Sequence, residues 1–558
     1  MAVLTALPAI AQQQPAPDLQ QFGAVIDVRI INVDVVVTDR KGVPVKGLKK
    51  EDFELYENGR PVALSNFYEV AGGRPVATEG EEAAPAPSPA AAPAKQEPLP
   101  DNMRRRIIFY IDNLSLAPFN RNRVFSQMKE FTKTVMRPGD EAMIATFNRS
   151  MKVRVPFVRD AVQIQQTLDV IAGESAMGLS NRSERKDFES RIRDARDYED
   201  AVATARTYAS SVEHDLRQSA ESLTGLMTTL AGLEGKKILV LTSEGFPMQP
   251  GREMFYFIDE VGKEKGWQGG GTLLEGMNFD AHNLIQDIAR TANANGITMY
   301  TVHAAGLSAG NEMSAENDRP ISFQVSQAAL SNTTESMQLM ADLTGGLASI
   351  QTNNFKEAFN KIQRDLESYY SLGYRSGTER VDRQRNLEVR MKNRNYTARN
   401  RTTFVEKSTY AEMSDRVVAN LLYGTKLDDI KNNPLRVVVK SNRPIPTDDA
   451  DLFRVPVEVQ IPMESLTLMP QGETEHAGGF DVYVVVADKN GDMSDVARKS
   501  HQIHVSNDDM PKTKGKYYTY ELDLLMQRGL NRMSVGVVDN ISNVTGFARD
   551  QIIAQDLR

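Results

Sequence analysis

Cysteine is absent from all 558 residues. That excludes thiol nucleophiles, thiolate-bound zinc and disulfides together. No uninterrupted apolar stretch reaches the length of about 20 residues that a membrane-crossing helix needs. Net charge is -8 with no compensating basic stripe, which excludes a nucleic-acid partner because phosphate binding needs a basic surface. Neither the zinc-protease pattern H-E-x-x-H nor the phosphate loop G-x-x-x-x-G-K-[ST] occurs. His501 and His504 are three apart on a strand pattern and point to opposite faces, so they do not share a metal.

What is present is organised around residues 104–136. A basic lead-in runs into a strand apolar at every position, Ile107 to Ile111, which stops at Asp112 and is followed by a helix starting near Asn120. Continuous apolarity is what a parallel sheet covered on both faces requires. Asp112 therefore sits at the carboxyl end of its strand. In an open α/β sheet that end, at the switch point of strand order, is where ligands bind.

The remaining chain divides by pattern. Residues 1–23 carry an apolar run with Ala9 and Ala11 in an A-x-A arrangement but no basic start: a signal-peptide remnant and tail, implying a secreted, periplasmic or cell-surface protein, or an apolar terminus with no export role. Residues 24–70 alternate apolar and polar between turn signals and read as strands of a β-sandwich, completed by strands in 369–408. Residues 71–103, Ala, Pro, Glu and Gly, read as a disordered linker. Residues 104–368 alternate strands and helices and predict a doubly wound, mostly parallel sheet inserted in that sandwich. A linker helix within 409–433 leads to a second sandwich, 434–558.

Within the α/β region, residues 183–231 carry one narrow apolar stripe from Phe188 to Leu230. Unbroken, it is an arm of roughly 70 Å that must bury its seam by folding back or by oligomerising. Alternatively it is two helices turning near Ser210-Ser211 or Gly225 and packing on the sheet. Gly306-Leu307-Ser308-Ala309-Gly310 spells G-x-S-x-G near His303, but the polar residues that follow end in Pro320 and start no helix, as a hydrolase elbow would require. The Gly-rich loop 266–271 holds the single tryptophan, Trp267, and reads as a surface contact or an ordinary loop.

Four stretches in order, VDVVVTDRKGVPVKGLKKEDFELYENG, IIFYIDNLSL, KKILVLTSEG and YYSLGYRS, resemble the von Willebrand factor type A (VWFA)-related secreted family common in acidobacteria, over residues 24–405. The resemblance implies a VWA-like α/β domain that binds rather than catalyses. It also implies a divalent cation, usually magnesium, at the carboxyl edge, through which a partner's carboxylate binds. The family's first motif is Asp-x-Ser-x-Ser; here Asp112 matches, Leu114 and Leu116 stand at the serine positions, and Ser115 is shifted by one. Ser175 lies near the place of the second-motif Thr, and Glu244 takes the place of the third-motif Asp. The cation set is thus Asp112, Ser115, Ser175 and Glu244, a degenerate motif. The functional expectation is a non-catalytic binding or assembly protein whose partner is another protein or a second copy, met at the edge, at the helical segment or at sandwich edge strands. Its alternatives are a cation-dependent adhesin and a hydrolase using Ser308.

Overall fold

The computed structural model describes residues 30–72, 74–76, 104–267, 271–307, 322–376, 381–424 and 433–555. The signal-like start, most of the 71–103 linker, Ser308 and much of the loop after Trp267 lie outside the described residues. The chain forms two compact units, the larger within residues 29–228 and 234–406 and the smaller chiefly residues 407–558.

The larger unit contains the α/β sheet. Its strands are β1 (Arg105–Asp112), β2 (Glu141–Phe147), β3 (Met151–Val158), β4 (Lys236–Ser243), β5 (Ile297–His303) and β6 (Ala348–Ser349). Spatial order is β3-β2-β1-β4-β5-β6, parallel except for the β2-β3 hairpin. The chain therefore reverses its direction of winding between β1 and β4, and the sheet is doubly wound and VWA-like. Every residue of β1 is buried, because helices cover both faces.

One face packs α1 (Pro118–Val135), α2 (Ala161–Ala172) and α8 (Phe355–Glu367) against Phe109, Ile111, Ile144 and Val240. The helical insertion is two helices, α3 (Gly178–Asp194) and α4 (Tyr198–Thr229), and it begins before residue 183. The turn falls at Ala195–Asp197 rather than at Ser210-Ser211 or Gly225, which lie inside α4. The apolar stripe is spent on packing: Phe188, Ile192, Val202 and Ala205 join Met254, Phe257 and Ile258 of α5 (Arg252–Lys265) in one core. Trp267 lies half-buried against that same core. Two further helices, α6 (His282–Ala294) and α7 (Phe323–Thr344), flank β5; Thr301 of β5 donates to the Met337 carbonyl of α7.

The strands Ile30–Thr38 and Leu64–Ala71 pair on either side of Ser368–Arg375, and Phe53–Glu57 pairs with Gln384–Met391. Two sheets so formed share a core of Val33, Val35, Leu55, Leu372, Tyr374 and Val389. The α/β region is thus inserted between the halves of a β-sandwich. Both carboxylate oxygens of Asp365 of α8 accept from Nη2 of Arg399 in the sandwich, at 2.8 and 2.9 Å, and Oδ2 accepts a third bond from Tyr300 at 3.1 Å. The smaller unit is the second sandwich, with its core around Val455, Val457, Val482 and Val535, and α9 (Thr409–Tyr423) laid on it through Met413, Val417 and Leu421.

Asp365 is buried, and its loss would leave the Arg399 guanidinium without its carboxylate in a largely dry place. Asp365→Asn is expected to destabilise the larger unit by about 3 kcal/mol, because breaking one partner of a buried pair strands the other charge. Urea unfolding of parent and variant measures it; a difference below 1 kcal/mol would place this pair with weak surface bridges.

Candidate functional site

At the switch point three parallel strands end side by side. The register pairs Ile111 with Thr242 and Ser243 with His303, so Asp112, Ser243 and His303 terminate β1, β4 and β5 on one face. That face is the one covered by α4 and α7, because Tyr110, two residues before Asp112, hydrogen-bonds Ser222 of α4 at 3.2 Å. Above them opens a cleft of about 840 Å³, whose walls include Asn120, Arg182, Tyr208, Asp215, Ser219 and Glu253.

The floor is a hydroxyl chain. Ser243 Oγ donates to Asp112 Oδ2 at 2.8 Å, and the Ser115 hydroxyl lies 2.9 Å from the Ser243 hydroxyl. Backbone N–H groups of Glu244 and Gly245 donate to Ser115 Oγ and Ser243 Oγ at 3.0 and 2.9 Å. The one-residue shift of Ser115 therefore does not carry it away from Asp112. Asp112 itself is 3% exposed, and its Oδ1 has no hydrogen bond of normal geometry. Burial raises its pKa above the usual carboxylate range, opposed by the Ser115 and Ser243 hydroxyls and the amides of Ser115 and Leu114.

Glu244 points elsewhere. Its Oε1 accepts from the Ala117 amide at 2.7 Å and from Asn120 at 3.0 Å, capping the N-terminus of α1, where the unpaired amides and the helix dipole favour an anion. Its Oε2 meets Arg182 at 2.5 Å. Arg182 is brought there by the start of α3, seated directly on the loop after β1. Met177 and Gly178 amides donate to Asn113 and Leu116 carbonyls at 2.8 and 3.0 Å, and Asn181 donates to Leu114 O at 2.8 Å. Only glycine permits this approach, since a Cβ on Gly178 would fall 2.4 Å from the Leu116 carbonyl carbon.

Ser175 sits in a different place, a cleft of about 290 Å³ beside β2 and β3 with Asn113, Thr146, Arg154 and Glu174. The loop carrying it is pinned by fully buried Arg121, which donates to the Ala172 and Glu174 carbonyls at 3.0 and 2.9 Å. Leu114 and Leu116 are buried. Among the described residues no three His, Asp or Glu side chains gather as a metal cluster. Magnesium asks for about six oxygens in a near-ideal octahedron and usually one or two carboxylates. Here the edge offers one carboxylate and two hydroxyls bonded to each other, while the second carboxylate is held by Arg182. Of the four residues expected to hold a cation, only Asp112 and Ser115 meet at this edge; Ser175 and Glu244 are placed elsewhere.

Three side chains of the floor and wall carry more than sequence reasoning gave them. Ser243 was visible in T-S-E-G, where strand alternation already turns it to the face of Asp112 and Glu244 away from it. His303 and Ser219 had no local signal; their places depend on register and on which way α4 lies.

No protein-family model matches this chain. No curated protein matches it. Solved structures similar to it include an aerotolerance-related membrane protein from Bacteroides fragilis, 10% identical, covering 47% of this chain and 98% of that one at TM-score 0.24. BatB from Bacteroides thetaiotaomicron is 10% identical over 47% of this chain and 98% of its own, at 0.21. Proximal thread matrix protein 1 of the mussel byssus is 10% identical over 49% of each chain, at 0.24. Likeness at this level carries no functional argument, and the fold rests on the strand order itself.

The buried carboxyl makes a pH prediction. With a folded pKa above its unfolded one, Asp112 binds its proton more tightly in the folded state, so its ionised form costs stability above the folded pKa and the cost fades as pH falls. Urea unfolding across pH should show the parent losing stability relative to Asp112→Asn as pH rises through the folded pKa. A pH-independent difference would mean that burial does not govern this group.

Proposed function

We propose that this chain is a non-catalytic binding module that meets another protein at the carboxyl edge of its α/β sheet. The observation that carries this reading is the mouth of the cleft. Phe119, at the start of α1, is 73% exposed and Leu179, at the start of α3, is 57% exposed, and both line the cleft with its polar floor. Exposed bulky apolar side chains beside a concave polar site are the composition of a protein-recognition surface. The apolar start of the sequence, with its A-x-A pattern, supports a place outside the cytoplasm.

The alternatives have less behind them. A hydrolase using Ser308 rests on the sequence pattern alone, since Ser308 lies outside the described residues. A cation-dependent adhesin needs the donor set that Glu244 has left. Self-assembly draws support from the second sandwich, where Ala497–Ser506 and Tyr517–Gln527 are each paired on one side only among the described residues. Those edges carry Arg498, Lys499, Glu521 and Asp523, charges that discourage strand addition.

The test is site-directed crosslinking. Phe119→p-benzoylphenylalanine should capture a discrete partner, or a second copy, from extracts of the source cells, whereas the same probe in place of Arg498 should not. Phe119→Ser with Leu179→Ser should weaken that association by about tenfold or more. Equal capture from both positions would remove the edge as the binding face.

A further inference from the structure

Unpartnered polar atoms gather at the cleft floor. Asp112 Oδ1, Ser219 Oγ and His303 Nδ1 are buried, line the cleft and have no hydrogen-bond partner; the residues are 3%, 3% and 2% exposed. His303 Nε2 faces a carbonyl oxygen, the Glu244 one, and so must be the donor nitrogen; Nδ1 is then an acceptor. Unpartnered buried acceptors are costly, and a group that supplies several donors at once relieves them together.

Geometry stacks an acidic wall over this floor. Because α4 packs Ser222 on Tyr110, Ser219 lies nearly one turn further toward the carboxyl edge, at about the level of Asp112, and Asp215 one turn above that. Asp215 is half-buried, lines the cleft and has no ion pair among the described residues. The arginines of the cleft are already engaged: Arg182 with Glu244, Arg185 with Glu189 at 2.9 Å, and Arg123 with the Ala304 carbonyl at 3.2 Å. What the described ion pairs leave over at this edge is the Asp215 carboxylate, above the three unpartnered polar atoms of the floor.

We infer that the cleft receives a basic side chain, an arginine or lysine projecting from a partner protein, with its charged head between Asp215 and the floor and its aliphatic stem against Phe119 and Leu179. A guanidinium offers five donors in a fixed fork and is more weakly hydrated than an ammonium, which suits several fixed acceptors in a partly dry cleft. The apolar stem matches the rim, as long basic side chains lie along apolar surface while the head stays polar. The recognition needs no cation, since the partner brings the positive charge itself. This rests on the reading of the edge as a protein-binding face.

The experiment pans a random peptide library displayed on phage against the full chain in EDTA, then measures synthetic copies of enriched peptides by fluorescence anisotropy. Expected are peptides sharing an arginine or lysine beside a bulky apolar residue. Their Kd should rise about tenfold or more with Asp215→Asn, and equally when the basic residue is changed to Gln. Excess magnesium should leave it unchanged. Asp215→Asn should keep the parent's thermal midpoint, and Ser219→Ala, which removes only one acceptor, should give a smaller loss in the same direction. Acidic or uncharged peptides that ignore Asp215→Asn but are lost with Phe119→Ser and Leu179→Ser would overturn the basic ligand while sparing the binding face. Peptides indifferent to the rim variants as well, or no enrichment, would overturn both.

Discussion

The structure depends on one constraint: parallel strands wound in opposite directions from β1 and β4 must leave their carboxyl ends uncovered between the two sets of connections. Asp112, Ser243 and His303 share one face because parallel register and two-residue alternation allow nothing else. The cleft is what helices cannot fill there. Its walls come from the segments that leave the sheet edge, so the loop after β1, the start of α3 and the length of α4 decide its chemistry.

At that edge two carboxylates meet different fates for electrostatic reasons. Glu244 lies where α1 begins, and unpaired amides, the helix dipole and Arg182 satisfy it in place. Asp112 has neutral hydroxyls and amides but, among the described residues, no cation for close company and is cut off from water, so burial disfavours its charge. A cost of that kind, kept at the floor of a cleft, makes the group a candidate for contact with something outside the chain. Glu244 does not converge with Asp112, so the edge presents a single carboxylate beside its hydroxyls.

The insertion and the sandwich serve the same edge from different directions. Helices α3 and α4 bury their stripe against α5, which makes them a rigid wall and removes the seam that a free arm would offer for oligomerisation. The sandwich strands frame the α/β region at both of its chain ends, with Asp365 and Arg399 tying them together. Losing one partner of that pair would strand the other charge in a largely buried place.

Periodicity by itself determined the layers of this protein. Continuous apolarity marked β1 and β4 as interior parallel strands, alternation marked both sandwiches, and the strand pattern after residue 369 predicted that the α/β region interrupts the first of them; these are local consequences of side-chain spacing. Asp112 was legible as the edge residue for the same reason, as was Ser115 beside it. Tertiary structure alone decided the rest. The break at Ala195–Asp197 was hidden because a 3.6-residue stripe looks the same whether one helix or two carry it. Ser175 went to a second cleft, Glu244 to a helix end, and Ser219, Asp215 and His303 came to Asp112 from sequence positions far apart. Directions of side chains at a loop, and which elements face each other across a cleft, are set by packing between distant segments, and no window of sequence contains that information.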